Sequence, residues 1–363
     1  MGTKGALTKD YADQRMRFEP LVEVTQIKGT SEAHPLLSPD DQFADYELLD
    51  IANISGKAAK EEWMLSGEYV RSAMKNGLAI EQDLGSNPFQ FGVIGSTDAH
   101  TSLPSPREDN FFGKAHIAEP GKDRINGVLI QGAIPELSMH IRDLGASGLA
   151  AVWASENTRE AIWDAMARRE VYATTGSRMT VRLFAGWSLS EADLASPDRI
   201  ALGYQKGVPM GGVLKGTKNQ KPLTIMVSAA SDPLGAHLDR IQIVKGWVDE
   251  TGATHERIFD VAVSDGREIS EVGRANAAVG STVDLTTATY ENTIGDAMLS
   301  ALWTDPDFDP KQAAFYYARV IEIPTPRWNA YDRVRYGAIS EVPVTEAVQD
   351  RAYTSAVWYQ PSQ

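Results

Sequence analysis

Apolar and polar positions follow two textures along the chain, and the change falls near Gly176. Upstream, short apolar runs alternate with helical patterns. PLVEVTQIKG (residues 20–29) reads as a strand that stops at Gly29, and TSEAHPLLSPDD follows it as a polar loop. In SGEYVRSAMKNGLAIEQDLG, Val70, Met74, Gly77 and Leu78 recur on one face at helical spacing, and Gly85 stands where such a helix would stop. FGVIG (residues 91–95) is a second buried strand. SGLAAVWASENTREAIWDAMARREVYATTG reads as strand, helix and strand: Asn157 is the expected cap, Glu160 falls three residues on, and Ala161, Ile162, Ala165 and Met166 form the buried stripe. Strands separated by helices predict parallel β/α units.

Downstream the helical spacing fades. TVRLFAGW, LTIMVSAAS, DRIQIVKGWVD, IFDVAVSDG and AAFYYARVIEI are short strands separated by Gly, Pro, Asp and Asn turns, with Leu223, Ile225, Val227 and Ala229 facing one way. That texture predicts an antiparallel sandwich. The expected architecture is α/β plus all-β: a β/α part over residues 1–178 and a β-sandwich over residues 179–363. A length of 363 residues agrees with about two domains.

Composition narrows the chemistry. A formal charge of -14 would repel phosphate backbones, so nucleic acid is not an expected partner. No apolar run approaches the roughly 20 residues of a membrane span, and MGTKGALTKDYADQ lacks the apolar core of a signal peptide. With no cysteine, any metal must be held by His, Asp, Glu and water. The compartment stays open. There is no GxSxG, phosphate-binding loop or dinucleotide fingerprint.

Three clusters could carry chemistry. Asp98 and His100 flank one residue, so in an extended segment they point to the same side, about 6–7 Å apart, beyond a strand end. Both could reach one cation; the alternative is an aspartate capping a turn beside a loop histidine. Glu32 and His34 repeat the spacing after the first strand, in a cluster with Gln26, Lys28 and Ser31; the alternative is a solvated loop before Pro35. If both strands share one parallel sheet, the two clusters emerge at one rim. Arg107 and Lys114 bring cations just beyond His100, suited to an anionic or polarised substrate group, or to surface pairing with Glu108 and Asp109. His140, His237 and His255 read as structural or surface residues.

GSTDAHT resembles the last metal-ligand motif, Asp-x-His, of the polymerase and histidinol phosphatase (PHP) superfamily of metallohydrolases. PLVEVTQIKGTSEAHPLLS, NPFQFGVIGSTDAHT, EDNFFGK, GLAAVWASENTREAIWDAMARREVYATTG and YTSAVWY together resemble one bacterial branch of it, a domain-of-unknown-function family akin to the carbaryl hydrolases. The resemblance implies a distorted β/α barrel holding two or three divalent metals, commonly Mn, Zn or Fe. It implies hydrolysis of a phosphate ester, ester or carbamate by a metal-activated hydroxide. Asp98 and His100 correspond to the final ligand pair. Glu32 is then a further expected ligand, His34 a catalytic group at the rim, and Lys28, Arg107 and Lys114 the substrate-binding cations.

The family pattern opens with His-x-His, and this sequence contains none; its first histidine is His34. The chain is therefore expected to be the carboxyl-terminal portion of such a hydrolase, with a metal site incomplete on its own. A partial barrel exposes sheet edges, so self-association or pairing with an amino-terminal segment is expected, beside a small-molecule substrate. The alternative is a non-catalytic module that binds a ligand or partner.

Overall fold

The computed structural model of the protein describes residues 7–146, 148–217 and 221–362; the opening MGTKGA lies outside them. Strand β1 (Leu21–Gln26) turns back antiparallel onto β2 (Gly29–Thr30) and pairs parallel with β3 (Gly92–Gly95), from Leu21 opposite Gly92 to Thr25 opposite Gly95, with a register shift between Glu23 and Thr25. A parallel pair needs a crossover, and the helix Val70–Leu84 lies on it. That helix buries Val70, Met74, Gly77 and Leu78 as the spacing predicts. It ends at Gly85 with φ 70°, where the N–H bonds back to Glu81 O at 2.8 Å, a left-handed cap that glycine adopts without strain.

Two short ladders, β4 (Val128–Ile130) with β5 (Met139–His140) and β16 (Thr325–Pro326) with β17 (Ala347–Val348), flank the main sheets. The central layer is an eight-stranded sheet. Its strands are β6 (Leu149–Val152), β7 (Val171–Thr174), β10 (Val213–Lys215), β12 (Leu238–Val248), β13 (Thr254–Val263), β15 (Ala314–Glu322), β18 (Arg351–Thr354) and β19 (Val357–Gln360). They run in the order β10-β19-β15-β18-β7-β6, with β12 and β13 branching from β15. Strands β8 (Thr180–Gly186), β9 (Gly207–Pro209), β11 (Thr224–Ala230) and β14 (Met298–Thr304) form a third sheet in the order β14-β11-β8-β9.

Period-two alternation explains how the layers stack. Ile241, Ile243, Tyr316, Ala318, Val320 and Ala352 of the central sheet pack with Leu183, Ile225, Val227 and Ala229 of the third sheet. The intervening positions Val244, Phe315, Tyr317, Tyr353 and Trp358 point the other way, onto Val70, Met74, Leu78, Val24 and Val93. Both faces of β15 are thus covered, which is why its sequence is an almost unbroken apolar run rather than an alternating one. Each fully buried large apolar side chain here contributes roughly 1.5–3 kcal/mol.

The expected mixture of helix and sheet is present, with mostly antiparallel sheets and no closed barrel among the described residues. Two expectations are corrected. Strands β6 and β7, joined through the helix Arg159–Ala167, are antiparallel rather than a parallel β/α unit, because β7 takes its direction from β18 on its other side. The helix is capped by Thr158, whose hydroxyl accepts the Ala161 N–H at 3.3 Å, and not by Asn157. Residue 178 lies between strands that one sheet unites, since β6 and β7 precede it and β18 follows it. No helix among the described residues is long and apolar enough to cross a membrane.

Candidate functional site

Because β1 and β3 run parallel, their carboxyl ends open at one rim, and the Lys28 and Asp98 segments leave the sheet there together. Gly95 allows this: a Cβ at that position would lie 2.8 Å from both Leu149 O and Thr174 O, so only glycine lets β3 approach β6 and β7 so closely. Three residues on, Asp98 has φ 46°, a left-handed conformation uncommon outside glycine. Such strain persists where the surroundings hold it, and it gathers at functional sites. Lys114 is the local brace: its ammonium pairs with Asp98 Oδ2, while its carbonyl accepts the His100 N–H at 2.8 Å. His100 Nε2 sits 3.1 Å from Asp98 Oδ1, with most of the ring in solvent. Asp98, His100 and Lys114 therefore form one contact group, with Asp98 left-handed rather than part of the extended segment expected from the sequence.

Lys28 stands beside it, donating to Ser31 Oγ at 2.6 Å, with the charges of Glu23, Glu68 and Asp98 acting on its ammonium. Glu23, which sequence reasoning passes over, accepts from Ser96 Oγ and from Gln26 Nε2 at 3.3 Å, tying the two strand ends together. Its place at an inward-outward alternating position of a rim strand is the signal that could have found it.

The other expected site residues lie elsewhere. Glu32 is 3% exposed and belongs to a buried ion cluster, not to the rim. Arg319 Nη1 donates to Glu32 Oε2 at 3.0 Å, and Arg319 Nη2 and Arg71 Nη2 reach Asp41 at 2.6 and 2.8 Å. Arg71 Nη2 and the Tyr317 hydroxyl also donate to Glu32 Oε1. Burial alone would raise both carboxyls; Arg319 and Arg71 reverse this and hold Glu32 and Asp41 below the usual carboxylate range. With its oxygens committed to two guanidinium groups, Glu32 has no lone pair directed at Asp98.

His34 is locked as well. Its Nδ1 accepts the Leu36 N–H at 3.1 Å, so Nε2 carries the proton and donates to Asp50 Oδ2 at 2.9 Å, with the ring 5.3 Å from that of Tyr69. Arg107 turns away from Lys114: it makes a two-bond pair with Asp109, 2.8 Å each, on the wall of a separate cavity of about 180 Å³. Glu108, Glu322 and Asp350 meet in that cavity. Glu322 Oε1 accepts from Ser177 Oγ, and Asp350 Oδ1 from Thr175 Oγ1 and the Tyr46 hydroxyl at 2.5 and 3.1 Å. Burial first, and then the neighbouring Asp350 charge, push Glu108 up to about 8 and Glu322 well above its ordinary value; burial raises Asp350 to about 6.

A metal would find two donors at the rim, Asp98 and His100, with the Lys114 ammonium on the second carboxylate oxygen. Among the described residues no three His, Asp or Glu side chains are grouped to hold a metal ion. Catalytic cations usually take three protein ligands. The residues present do not make a complete metal centre by themselves.

No curated protein matches the chain. A family model does, across residues 2–361. The chain belongs to the family described as protein of unknown function, DUF3604.

Proposed function

We propose that the chain is the carboxyl-terminal portion of a metal-dependent hydrolase of the PHP type, built on a distorted β/α barrel and acting on a phosphate ester, an ester or a carbamate. The observation that carries this reading is Asp98. It is a strained, left-handed aspartate at the carboxyl end of a parallel strand, in contact with a histidine and flanked by two lysines at one rim. Strand ends of this kind are where β/α enzymes place their chemistry. Asp98 and His100 would supply two ligands to a divalent cation (Mn, Zn or Fe). The remaining donors would come from groups that the described residues do not bring to this rim, on another segment or on a second copy of the chain. Lys28 and Lys114 would receive the anionic or polarised part of a small-molecule substrate.

Lys114 gives the test a readout other than activity. An ammonium on Asp98 Oδ2 competes with any cation for that oxygen, so Lys114→Met tightens Mn²⁺ or Zn²⁺ binding in calorimetry, and Asp98→Asn with His100→Ala abolishes it. Unchanged metal content in that double variant, measured by elemental analysis, defeats the proposal. The two-donor count favours a second reading, a binding module without turnover; ligand binding by the purified chain with no hydrolysis of chromogenic phosphate, ester and carbamate substrates would select it.

A further inference from the structure

A cavity of about 780 Å³ is lined by Phe43, Tyr46, Glu47, Arg142, Arg327 and Arg351 among others. Three arginines on one wall are unexpected in a chain of charge -14. They are not equivalent. Arg327, 4% exposed, is neutralised by Glu47 in a two-bond pair of 2.7 and 2.9 Å, and it also donates to Leu144 O at 2.6 Å. Arg351 is equally buried, yet its partners are neutral: Nε donates to Gln349 O at 3.3 Å and Nη1 to Phe43 O at 2.9 Å. Its guanidinium lies 4.0 Å over the Tyr46 ring. Among the described residues it forms no ion pair with a carboxylate, and neither does the half-buried Arg142.

A guanidinium carries five N–H donors and keeps its proton, so three donors of Arg351 are left over. The Asp350 charge acts on Arg351 without a direct ion pair, and its Oδ1 is taken by Thr175 and Tyr46, so an anion entering the cavity can meet the spare guanidinium donors. Of the carboxylates on the lining, Glu47 is committed to Arg327 and Asp143 to the His140 N–H at 2.8 Å, while Asp45 is exposed to solvent. The rest of the lining mixes apolar Leu48, Val344 and Val348 with polar Gln42, Thr345 and Gln349, and the volume falls in the range of small-molecule pockets.

We propose that this cavity binds a small organic anion, a carboxylate or a phosphate monoester, with its charged oxygens on Arg351 and Arg142. Paired N–H groups of a guanidinium match two oxygens of either anion. The site shares no residue with the Asp98 rim and does not depend on a metal there.

The test is calorimetry and thermal shift on the full chain with benzoate, phenyl phosphate and, as the uncharged control, benzamide. At least one anion is expected to bind and raise Tm while benzamide does not; which anion wins identifies the headgroup. Arg351→Lys and Arg142→Ala are each expected to weaken binding at least tenfold, and Asp98→Asn with His100→Ala to leave it unchanged. Arg142 is half-buried, so its replacement keeps the test valid if the Arg351 variant fails to fold. Absence of binding by both anions at millimolar concentration overturns the proposal, as does equal binding of benzamide or undiminished binding by Arg142→Ala.

Discussion

Two buried clusters of carboxyl groups sit in this protein at similar depth and behave oppositely. Around Glu32 and Asp41, two carboxyls share two guanidinium groups, Arg71 and Arg319, and are held low. Around Glu322, Asp350 and Glu108, three carboxyls share hydroxyl and N–H donors, and all three are pushed up. Desolvation is the largest influence in each case, and it acts in the same direction. What differs is a cation in contact. Burial alone thus says little about the charge a carboxyl carries; the partner decides it.

The strongest way to break this comparison is to remove the partner. Arg319→Met leaves Glu32 and Asp41 with one guanidinium between them in a dry interior, and unfolding in urea is expected to show a loss of about 3–5 kcal/mol. A loss below about 1 kcal/mol would mean that the cluster is not compensating charge.

The second test uses pH. A carboxyl whose folded pKa is raised binds more protons folded than unfolded, so its stabilising effect is complete below the unfolded value near 4 and declines as pH rises through the folded value. For Asp350 and Glu108 that window runs from about 4 to about 6 and about 8. Glu32 and Asp41 have the opposite sign: their contribution is present above pH 4 and is lost on acidification below it. Stability is expected to be highest near pH 5 and to fall steadily toward pH 8 as Asp350, Glu108 and Glu322 lose their protons in the folded state. Glu322→Gln should flatten the alkaline side and exceed the parent in stability at pH 8. A parent stability that is flat or rising between pH 5 and 8 would remove the contrast between the two clusters.

The smallest expected effect is at the surface. The Asp98–Lys114 pair is partly exposed, and Asp98→Gly also relieves a left-handed backbone, so thermal unfolding should move by less than about 1 kcal/mol. A large loss would mean that the rim is a structural cluster like the one around Glu32.

Local pattern carried much of the fold and only part of the site. The stripe Val70, Met74, Gly77 and Leu78, the stop at Gly85 and the Phe91–Gly95 strand follow from spacing, because each depends on neighbours a few residues away. The grouping of Asp98, His100 and Lys114 follows from their closeness in the chain. The antiparallel sense of β6 and β7 does not, since β18, some 180 residues downstream, sets it. Glu32 misleads for the same reason: its spacing to His34 resembles a ligand pair, and its counter-charges arrive from positions 71 and 319. Two signs were nonetheless present. Arg71 stands beside the buried stripe of its helix, and Arg319 interrupts the apolar run AAFYYARVIEI; an arginine placed in a core needs an acid.

The strand order has a kinetic consequence. Since β18 lies between β15 and β7, the two halves of the central sheet cannot join until a segment far along the chain inserts between them. Assembly that waits on so remote a contact is slow, because the entropy of closing a long loop is lost before any pairing rewards it. Until that insertion the edge of β7 stays open, so refolding from denaturant should take seconds or longer and its yield should drop as protein concentration rises.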